Sequence, residues 1–332
     1  MVWIKCFIVT GLMAFGLQAN AQGQGYIDIG QKWLYRPFIN PAVTGNTPFL
    51  ELNLFARKQW VGIEGAPSTQ IFSGHSFLPT INSGVGLTVV NEFIGIFHTI
   101  DIKLAYAYHI LLDRDIAISF GLAGNATWMY RDDSKIIYQA PPTIPPPPFK
   151  TTVLPNFDAG IEIRNAWLKV GLSAIHLIDA HGDYSSNPGN FGYNTPDVGR
   201  TFYAYATSRV EAGTYLAVSP SLLGSLNHGF YDGEAGAMFF FKRLRQKNNL
   251  VRLRTRYSDT YDFLWAGAFM RFSGTLAMMA GVSITEQWRV GYAYEYTFQL
   301  RQIHWANSHE IMLSWRLPPL QRGPRKYLCD DC

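Results

Sequence analysis

The chain has 332 residues, of which 16% are charged and 15% aromatic, with 30 Gly, 18 Pro and a net charge of +4. Abundant aromatics with sparse charge exclude a disordered chain, and this Gly and aromatic content is foreign to a coiled coil or helical bundle, which draws on Ala, Glu, Lys, Leu and Arg. The net charge is too small to imply nucleic acid as a partner, and the composition points to β-structure.

In chain order, a short basic start (1–5), an apolar stretch (6–17) and the small-residue site Ala19-Asn20-Ala21 form the three parts of a secretory signal peptide. Cleavage is expected after Ala21, giving a signal peptide over 1–21. The apolar stretch is shorter than the ~20 residues of a spanning helix, and no apolar run of about 18 residues follows it. Residues 22–48 are expected to form an N-terminal periplasmic or plug segment, 49–317 the main domain and 318–332 a C-terminal tail.

From residue 100 onward, strict alternation sets in. Ile100, Ile102, Leu104, Tyr106 and Tyr108 alternate with Asp101, Lys103, Ala105, Ala107 and His109. The same pattern recurs over 115–122, 157–164 and 288–298, where Trp288, Val290, Tyr292, Tyr294, Tyr296 and Phe298 alternate with Arg289, Gly291, Ala293, Glu295 and Thr297. Successive strand side chains point to opposite faces, so each run has one apolar and one polar or small face. The longest runs match the 9 to 11 residues that cross a bilayer at ~45°. Trp128, Tyr130, Trp167, Trp265, Trp288, Phe298 and Trp315 lie near strand ends, as in the aromatic girdles of outer-membrane barrels.

About fourteen strands are expected, near 50–58, 68–77, 83–91, 100–109, 115–128, 155–164, 166–177, 201–211, 213–225, 230–242, 262–271, 275–284, 287–298 and 307–316. The fold class is therefore all-β: a transmembrane antiparallel β-barrel of about 14 strands in a single domain. The phase is ambiguous over 262–271. The run 250–257 is read as part of a long connection, because Arg252, Arg254 and Arg256 would line one face of a strand. Two other connections are long: 131–154, with Pro141, Pro142 and the run 145–148, and 178–200, with His181 and Tyr193.

Reactive constellations are missing from this pattern. His309-Glu310-Ile311-Met312-Leu313 begins like a zinc-protease motif, but it lacks the second His and sits on a strand, where residues four apart do not converge as on a helix. Ser173 and His176 stand three apart on one strand and are expected on opposite faces, which rules out a nucleophile and base pair. His98, His109 and Glu162 could meet across a lumen, as many polar residues in any barrel could, and are read as part of a solvated or hydrogen-bonded lumen. Gly84-Val85-Gly86 lacks the third Gly of a dinucleotide fingerprint and is read as a bend or a close approach. Cys329 and Cys332 have redox-motif spacing without a helix to activate a thiol, and suit a local disulfide or a free tail. No catalytic set, cofactor or metal is expected.

Six fragments then occur in order. Asn40-Pro41-Ala42-Val43-Thr44-Gly45 is followed by Arg57-Lys58-Gln59-Trp60-Val61-Gly62-Ile63-Glu64-Gly65-Ala66-Pro67-Ser68-Thr69, and by Gly84-Val85-Gly86 with Asn91-Glu92-Phe93-Ile94-Gly95. Val170-Gly171-Leu172-Ser173-Ala174-Ile175-His176-Leu177, Gly291-Tyr292-Ala293-Tyr294-Glu295-Tyr296 and Ser308-His309-Glu310-Ile311-Met312-Leu313 complete the series. Together they resemble the PorP/SprF family across nearly the whole mature chain. Val43, Thr44 and Glu295 depart mildly from its usual residues.

The resemblance implies a noncatalytic outer-membrane barrel of the type IX secretion system of Bacteroidota, associated with protein export and, in some species, gliding motility. It implies contact with outer-membrane lipid, with secreted cargo such as adhesins through a C-terminal domain, and with periplasmic machinery including a peptidoglycan-binding lipoprotein. The motif positions (Asn40, Pro41, Gly45, Gln59, Trp60, Gly62, Gly65, Ala66, Pro67, Asn91, Gly95, Ser173, His176, Gly291, Tyr292, Tyr294, Glu295, Ser308, His309 and Glu310) either shape the barrel or touch a partner. Pro41 and Pro67 fix backbone angles and Gly45, Gly62 and Gly65 permit turns, which suits a shaped plug or rim. His309 and Glu310 are expected to pair with lumen charges. The alternative function is a passive porin or uptake channel. An outer-membrane acyl hydrolase is a third class, without a converging Ser and His to support it.

Overall fold

The computed structural model describes residues 29–112, 116–132, 134, 152–178, 199–227, 230–244, 260–298 and 307–317. The expected signal peptide, the proline run 141–148, His181, Tyr193, the arginine-rich run 250–257, and the tail with Cys329 and Cys332 lie outside the described residues.

Fifteen strand segments form one antiparallel sheet: β1 Leu50–Lys58, β2 Ser68–Leu78, β3 Ser83–Ile94, β4 Phe97–Leu111, β5 Ile116–Arg131, β6 Thr152–Asn165, β7 Leu168–Ile175, β8 Thr201–Ser208, β9 Val210–Glu211, β10 Leu216–Asn227, β11 Phe230–Leu244, β12 Thr260–Arg271, β13 Thr275–Ser283, β14 Trp288–Thr297 and β15 Asn307–Leu317. β9 continues β8 beyond Arg209 and pairs with the same neighbour, β10, so the sheet has fourteen staves. It closes where β1 pairs with β15, from Leu50 opposite Leu317 to Lys58 opposite His309. Closure leaves no sheet edge, which is what allows strands to cross a lipid layer with every backbone group paired. Among the described residues, no helix is long and apolar enough to cross a membrane.

The alternation read from the sequence sorts residues as expected on most staves. Leu104, Phe120, Leu122, Phe157 and Leu172 lie on the outer face, each about half exposed or more, whereas Lys103, Ser119, Asp158 and Glu162 are buried inside. The outer face is thus apolar and the inner face polar or small, the reverse of a soluble protein. Trp167, Trp288 and Trp315 mark the end of the barrel where β1 begins and β15 finishes, called here the near end; Trp128, Tyr130 and Phe298 mark the far end.

Trp265 is the exception among the aromatics assigned to the girdles. It points inward and is 1% exposed. β12 carries Trp265 and Phe269 on its lumen face and Leu264 and Met270 on its outer face. Both faces are apolar, so no alternation marks the strand, and this is why its phase was ambiguous. A register shift at Phe241/Lys242 in the pairing of β11 with β12 disturbs the period further.

An arginine placed on the outer face at mid-depth should be costly. Leu104→Arg is expected to destabilise the barrel by about 2–4 kcal/mol, read as a lower urea midpoint in lipid vesicles, whereas Lys58→Arg at the far rim should leave the midpoint unchanged.

Candidate functional site

A barrel of eight strands is just filled by its own side chains, and a barrel of fourteen is wider. Here residues 29–47 occupy the space. All of them are buried except Trp33, Leu34 and Pro37, which are partly so. The segment starts on β14 and β15 in the far half of the barrel. It crosses to β11 and β12, passes β6 and β8, and reaches β5, β4 and β3 near the end where β1 begins.

Local sequence explains the shape. Pro37 and Pro41 each occupy the first turn of a short 3-10 helix, Arg36–Phe38 and Pro41–Val43, where the missing N–H costs nothing. Asn40 caps the second, its Oδ1 accepting from the Ala42 N–H at 2.9 Å. The Asn40 amide also donates to the Ile161 carbonyl at 3.0 Å and to the Tyr205 hydroxyl at 3.3 Å, so one side chain both turns the segment and ties it to the wall. Gly45 then adopts φ +73°, the left-handed region that favours glycine.

The wall is cut to receive this backbone. A Cβ on Gly84 would lie 2.0 Å from the Thr44 carbonyl oxygen, on Gly121 2.1 Å from the Ala42 nitrogen, on Gly160 2.0 Å from Asn40 Oδ1, and on Gly291 2.4 Å from Gln31 Oε1. Each distance is far inside van der Waals contact, so Gly84 and Gly121, which meet backbone, and Gly160, which meets the hydrogen-bonded Asn40 side chain, leave no room for a side chain, whereas at Gly291 the end of Gln31 would have to move. The close approach expected at Gly84 is therefore with the N-terminal segment.

Charge fixes the far half. Lys32 meets Glu234 at 2.9 Å, Glu234 meets Arg271 at 2.9 Å, Arg271 meets Glu295 at 2.8 Å, Glu295 meets Arg57 at 2.5 Å, and Arg57 meets Glu310 at 3.3 Å. Glu310 also accepts from the backbone N–H groups of Gly30 and Gln31 at 2.9 and 3.1 Å. Three cations and three carboxylates form one chain of alternating sign, anchored on β1, β11, β12, β14 and β15. Burial of so many ions is tolerable only with this degree of mutual pairing.

Towards the near end the partners change. Arg36 pairs with Glu162, which also accepts from the Tyr205 hydroxyl at 2.5 Å. Ser173 donates to the Ile39 carbonyl. His109 Nε2 lies 3.0 Å from the Thr44 carbonyl, which requires the proton on Nε2 and leaves Nδ1 to accept from Ser119. His75 Nδ1 accepts from the Gly45 N–H at 3.0 Å. Tyr35 hydrogen-bonds Ser73, and burial pushes its phenol well above the usual range, so it stays neutral. Between these polar ties, Trp33 stacks on Phe269 at 5.5 Å, and Phe38 packs edge-on against Tyr35 and Phe55.

The motif positions separate into three places. Asn40, Pro41, Gly45, Ser173, Gly291, Glu295 and Glu310 line the contact between segment and wall, and Ser308 also faces the lumen, 5% exposed. Gln59, Trp60, Gly62, Gly65, Ala66 and Pro67 form the β1–β2 hairpin at the far end, where Trp60, Gly62 and Gly65 have positive φ. That hairpin is tied to the β3–β4 turn by Gly95 N–H to the Gly65 carbonyl at 2.8 Å, and to β15 by Val61 N–H to the Asn307 carbonyl at 3.1 Å. Asn91, Tyr292, Tyr294 and His309 face outward near the same end.

Three expectations need correction. His309 does not pair with lumen charges: it alternates with Glu310 along β15, points outward, and meets the Tyr292 hydroxyl at 2.6 Å. His176 does not share a regular strand with Ser173. β7 ends at Ile175, and φ +55° at His176 turns its side chain inward, leaving it 8% exposed. The Ser173 hydroxyl nevertheless serves the Ile39 carbonyl, while the His176 backbone N–H donates to Asp158 Oδ1 at 2.9 Å. His98, His109 and Glu162 do not converge: His98 lies outside against Phe93 and Asn91. Among the described residues, no group of three His, Cys, Asp or Glu side chains is placed to hold a metal.

Lys32, Arg36, Gly121, Gly160, Tyr205, Glu234 and Arg271 were not singled out in the sequence. The signal was present in part, since Gly or a charge at an inward position of an alternating strand marks a wall that meets something other than water.

These features define an outer-membrane β-barrel whose lumen is packed by its own N-terminal segment. More specifically, the chain belongs to the family described as type IX secretion system membrane protein PorP/SprF, which matches over residues 23–315. No curated protein matches it. Among solved structures, it is similar to the CymD monoaromatic hydrocarbon channel, with 12% identity and a TM-score of 0.47 over 92% of this chain and 95% of that one. It is also similar to the Ralstonia pickettii toluene transporter TbuX, with 10% identity and a TM-score of 0.43 over 93% and 100%. CdiB from Acinetobacter baumannii gives 8% identity and a TM-score of 0.42 over 81% and 60%.

Two outcomes test the site. With both native C-terminal cysteines replaced, Ala42→Cys should resist maleimide in the folded barrel and become reactive when Gly121→Ala is added, because a methyl at 121 displaces the segment. Arg57→Met should cost about 3–5 kcal/mol, measured by urea unfolding in detergent, since it leaves Glu295 and Glu310 buried with less positive charge.

Proposed function

We propose that this barrel is a noncatalytic component of type IX secretion that holds secreted cargo, such as an adhesin, at the outer membrane and links it to the periplasmic machinery. Membership of the family places the chain in that system. The observation that carries the finer reading is the segment 29–47, buried in the lumen and tied by ion pairs on five staves: a protein built to pass solutes gains nothing from it, whereas a rigid anchor does. The buried lumen charges are paired with one another and with the segment, a structural use that supports a role without catalysis.

An even number of staves leaves the start of β1 and the end of β15 at one mouth; with that near mouth turned to the periplasm, the far-end hairpin 59–67 faces outward. Outward exposure of Val61, Ile63 and Glu64 on a hairpin braced at both sides makes it the natural seat for a cargo domain. The connection to gliding motility follows where the cargo is a motility adhesin. A peptidoglycan-binding lipoprotein would meet the opposite mouth.

A tagged copy purified in mild detergent from its own outer membrane should retain a large secreted protein together with type IX components, identified by mass spectrometry. Ile63→Asp should reduce the recovered cargo at least several-fold without lowering barrel levels. Recovery of a partnerless barrel, with surface display of every type IX substrate unchanged in a deletion strain, contradicts the reading.

A further inference from the structure

At the far end of the outer wall, polar side chains stand where lipid-facing strands ordinarily carry apolar ones. The register sets Tyr294 of β14, His309 of β15, Lys58 of β1 and Ser68 of β2 side by side, one residue per stave and all on the outer face. Gln70, two residues further along β2, faces the same way, and its amide donates to the Ser68 hydroxyl at 3.1 Å. From there hydrogen bonds run on across the wall. Asn91 Nδ2 donates to Gln70 Oε1 at 2.7 Å, and Asn91 Oδ1 meets His98 Nε2 at 2.5 Å.

Three of these groups keep donors for something outside the wall. Lys58 uses one of its three N–H groups on the Ala66 carbonyl at 3.2 Å, and Gln70 uses one of its two on Ser68. With His309 Nδ1 accepting from the Tyr292 hydroxyl at 2.6 Å, the imidazole proton sits on Nε2. Directly below, toward mid-depth, the same staves turn apolar: Ile311 and Leu313 on β15, Leu54 on β1 and Phe72 on β2 face outward. The strip that carries Lys58, His309 and Gln70 thus spans three staves, ~10 Å at the spacing of neighbouring strands, on top of a greasy wall.

We propose that His309, Lys58 and Gln70 form a binding site for one lipid whose phosphate headgroup carries net negative charge. Lys58 supplies the opposite charge, Gln70 and His309 donate to phosphate oxygens, and Leu54, Phe72 and Ile311 take the acyl chains. A water-soluble partner would match the polar strip and leave the apolar wall beneath it uncovered; an amphiphile matches both. The strip is also the width of a headgroup and too narrow for a specific protein interface. This site is separate from the seat assigned to cargo, and a barrel without lipid preference would still hold cargo.

The test uses the full-length protein, delipidated in detergent micelles, with phosphatidylglycerol and phosphatidylcholine of identical acyl chains as probes and native mass spectrometry as the readout. The first phosphatidylglycerol should bind about fivefold more tightly than the first phosphatidylcholine, the worth of one cation near a membrane surface. Lys58→Gln should abolish this preference, Lys58→Arg should keep it, and His309→Leu should weaken phosphatidylglycerol binding without touching the charge. Lys242→Gln, at the near end, should change nothing, and inorganic phosphate should not displace the lipid. Lys58 is exposed at a strand end, so its variants should keep the wild-type unfolding midpoint. Equal binding of the two lipids would leave the strip to a protein partner and overturns the proposal. So does displacement by inorganic phosphate, an unchanged preference in Lys58→Gln, or an equal loss in Lys242→Gln. Such a failure leaves the anchoring reading, which is tested by cargo recovery, untouched.

Discussion

A sheet of fourteen staves closes around more space than its own inward side chains fill, and the rest of this structure follows from how that space is used. Water would fill it in a porin. Here one stretch of the chain, residues 29–47, is laid against the inner wall, and the wall is adapted to it by glycines where backbone meets backbone and by charges where side chains meet. The hydrophobic core lies inside the barrel, around Phe38, Phe55, Trp265 and Phe269, and is bounded by the lumen face of the strands.

This arrangement divides the labour between the two kinds of contact. Apolar packing and glycine fit are short-ranged and set where the segment lies. The alternating chain from Lys32 to Glu310 draws on five staves at once, so its energy depends on the barrel having closed correctly. Buried ion pairs of this sort are weak evidence for stability but strong constraints on arrangement, because any displaced member leaves a charge in a dry interior. The segment therefore belongs to the barrel's structure, and the hairpin 59–67, braced by Gly95 and Asn307, extends the same rigidity to the far rim.

The strands were legible in the sequence because lipid and lumen impose opposite demands on alternate residues. Ile102 and Leu104 against Asp101 and Lys103 leave no doubt about period or face. Where the lumen is itself apolar, as along β12, that contrast disappears, and Trp265 reads as a girdle residue although it is buried in the core. His176 shows a second limit: a single positive φ reverses the face of a side chain, and nothing in the residue type announces it. The partners of Glu295 and Glu310 are legible only as inward charges, since Arg57 and Arg271 stand far away in sequence and the pairing emerges from closure of the ring. The segment 29–47 contains little that marks it as interior, apart from its prolines and Asn40, because its burial is decided by a wall assembled from the rest of the chain.

The central claim is that this segment seals the lumen. Conductance of the purified wild-type barrel in a planar bilayer tests it most directly. The account predicts insertion without steady current across the physiological voltage range. A stable ohmic pore of constant size in the wild-type protein would show an open path past residues 29–47 and would contradict it.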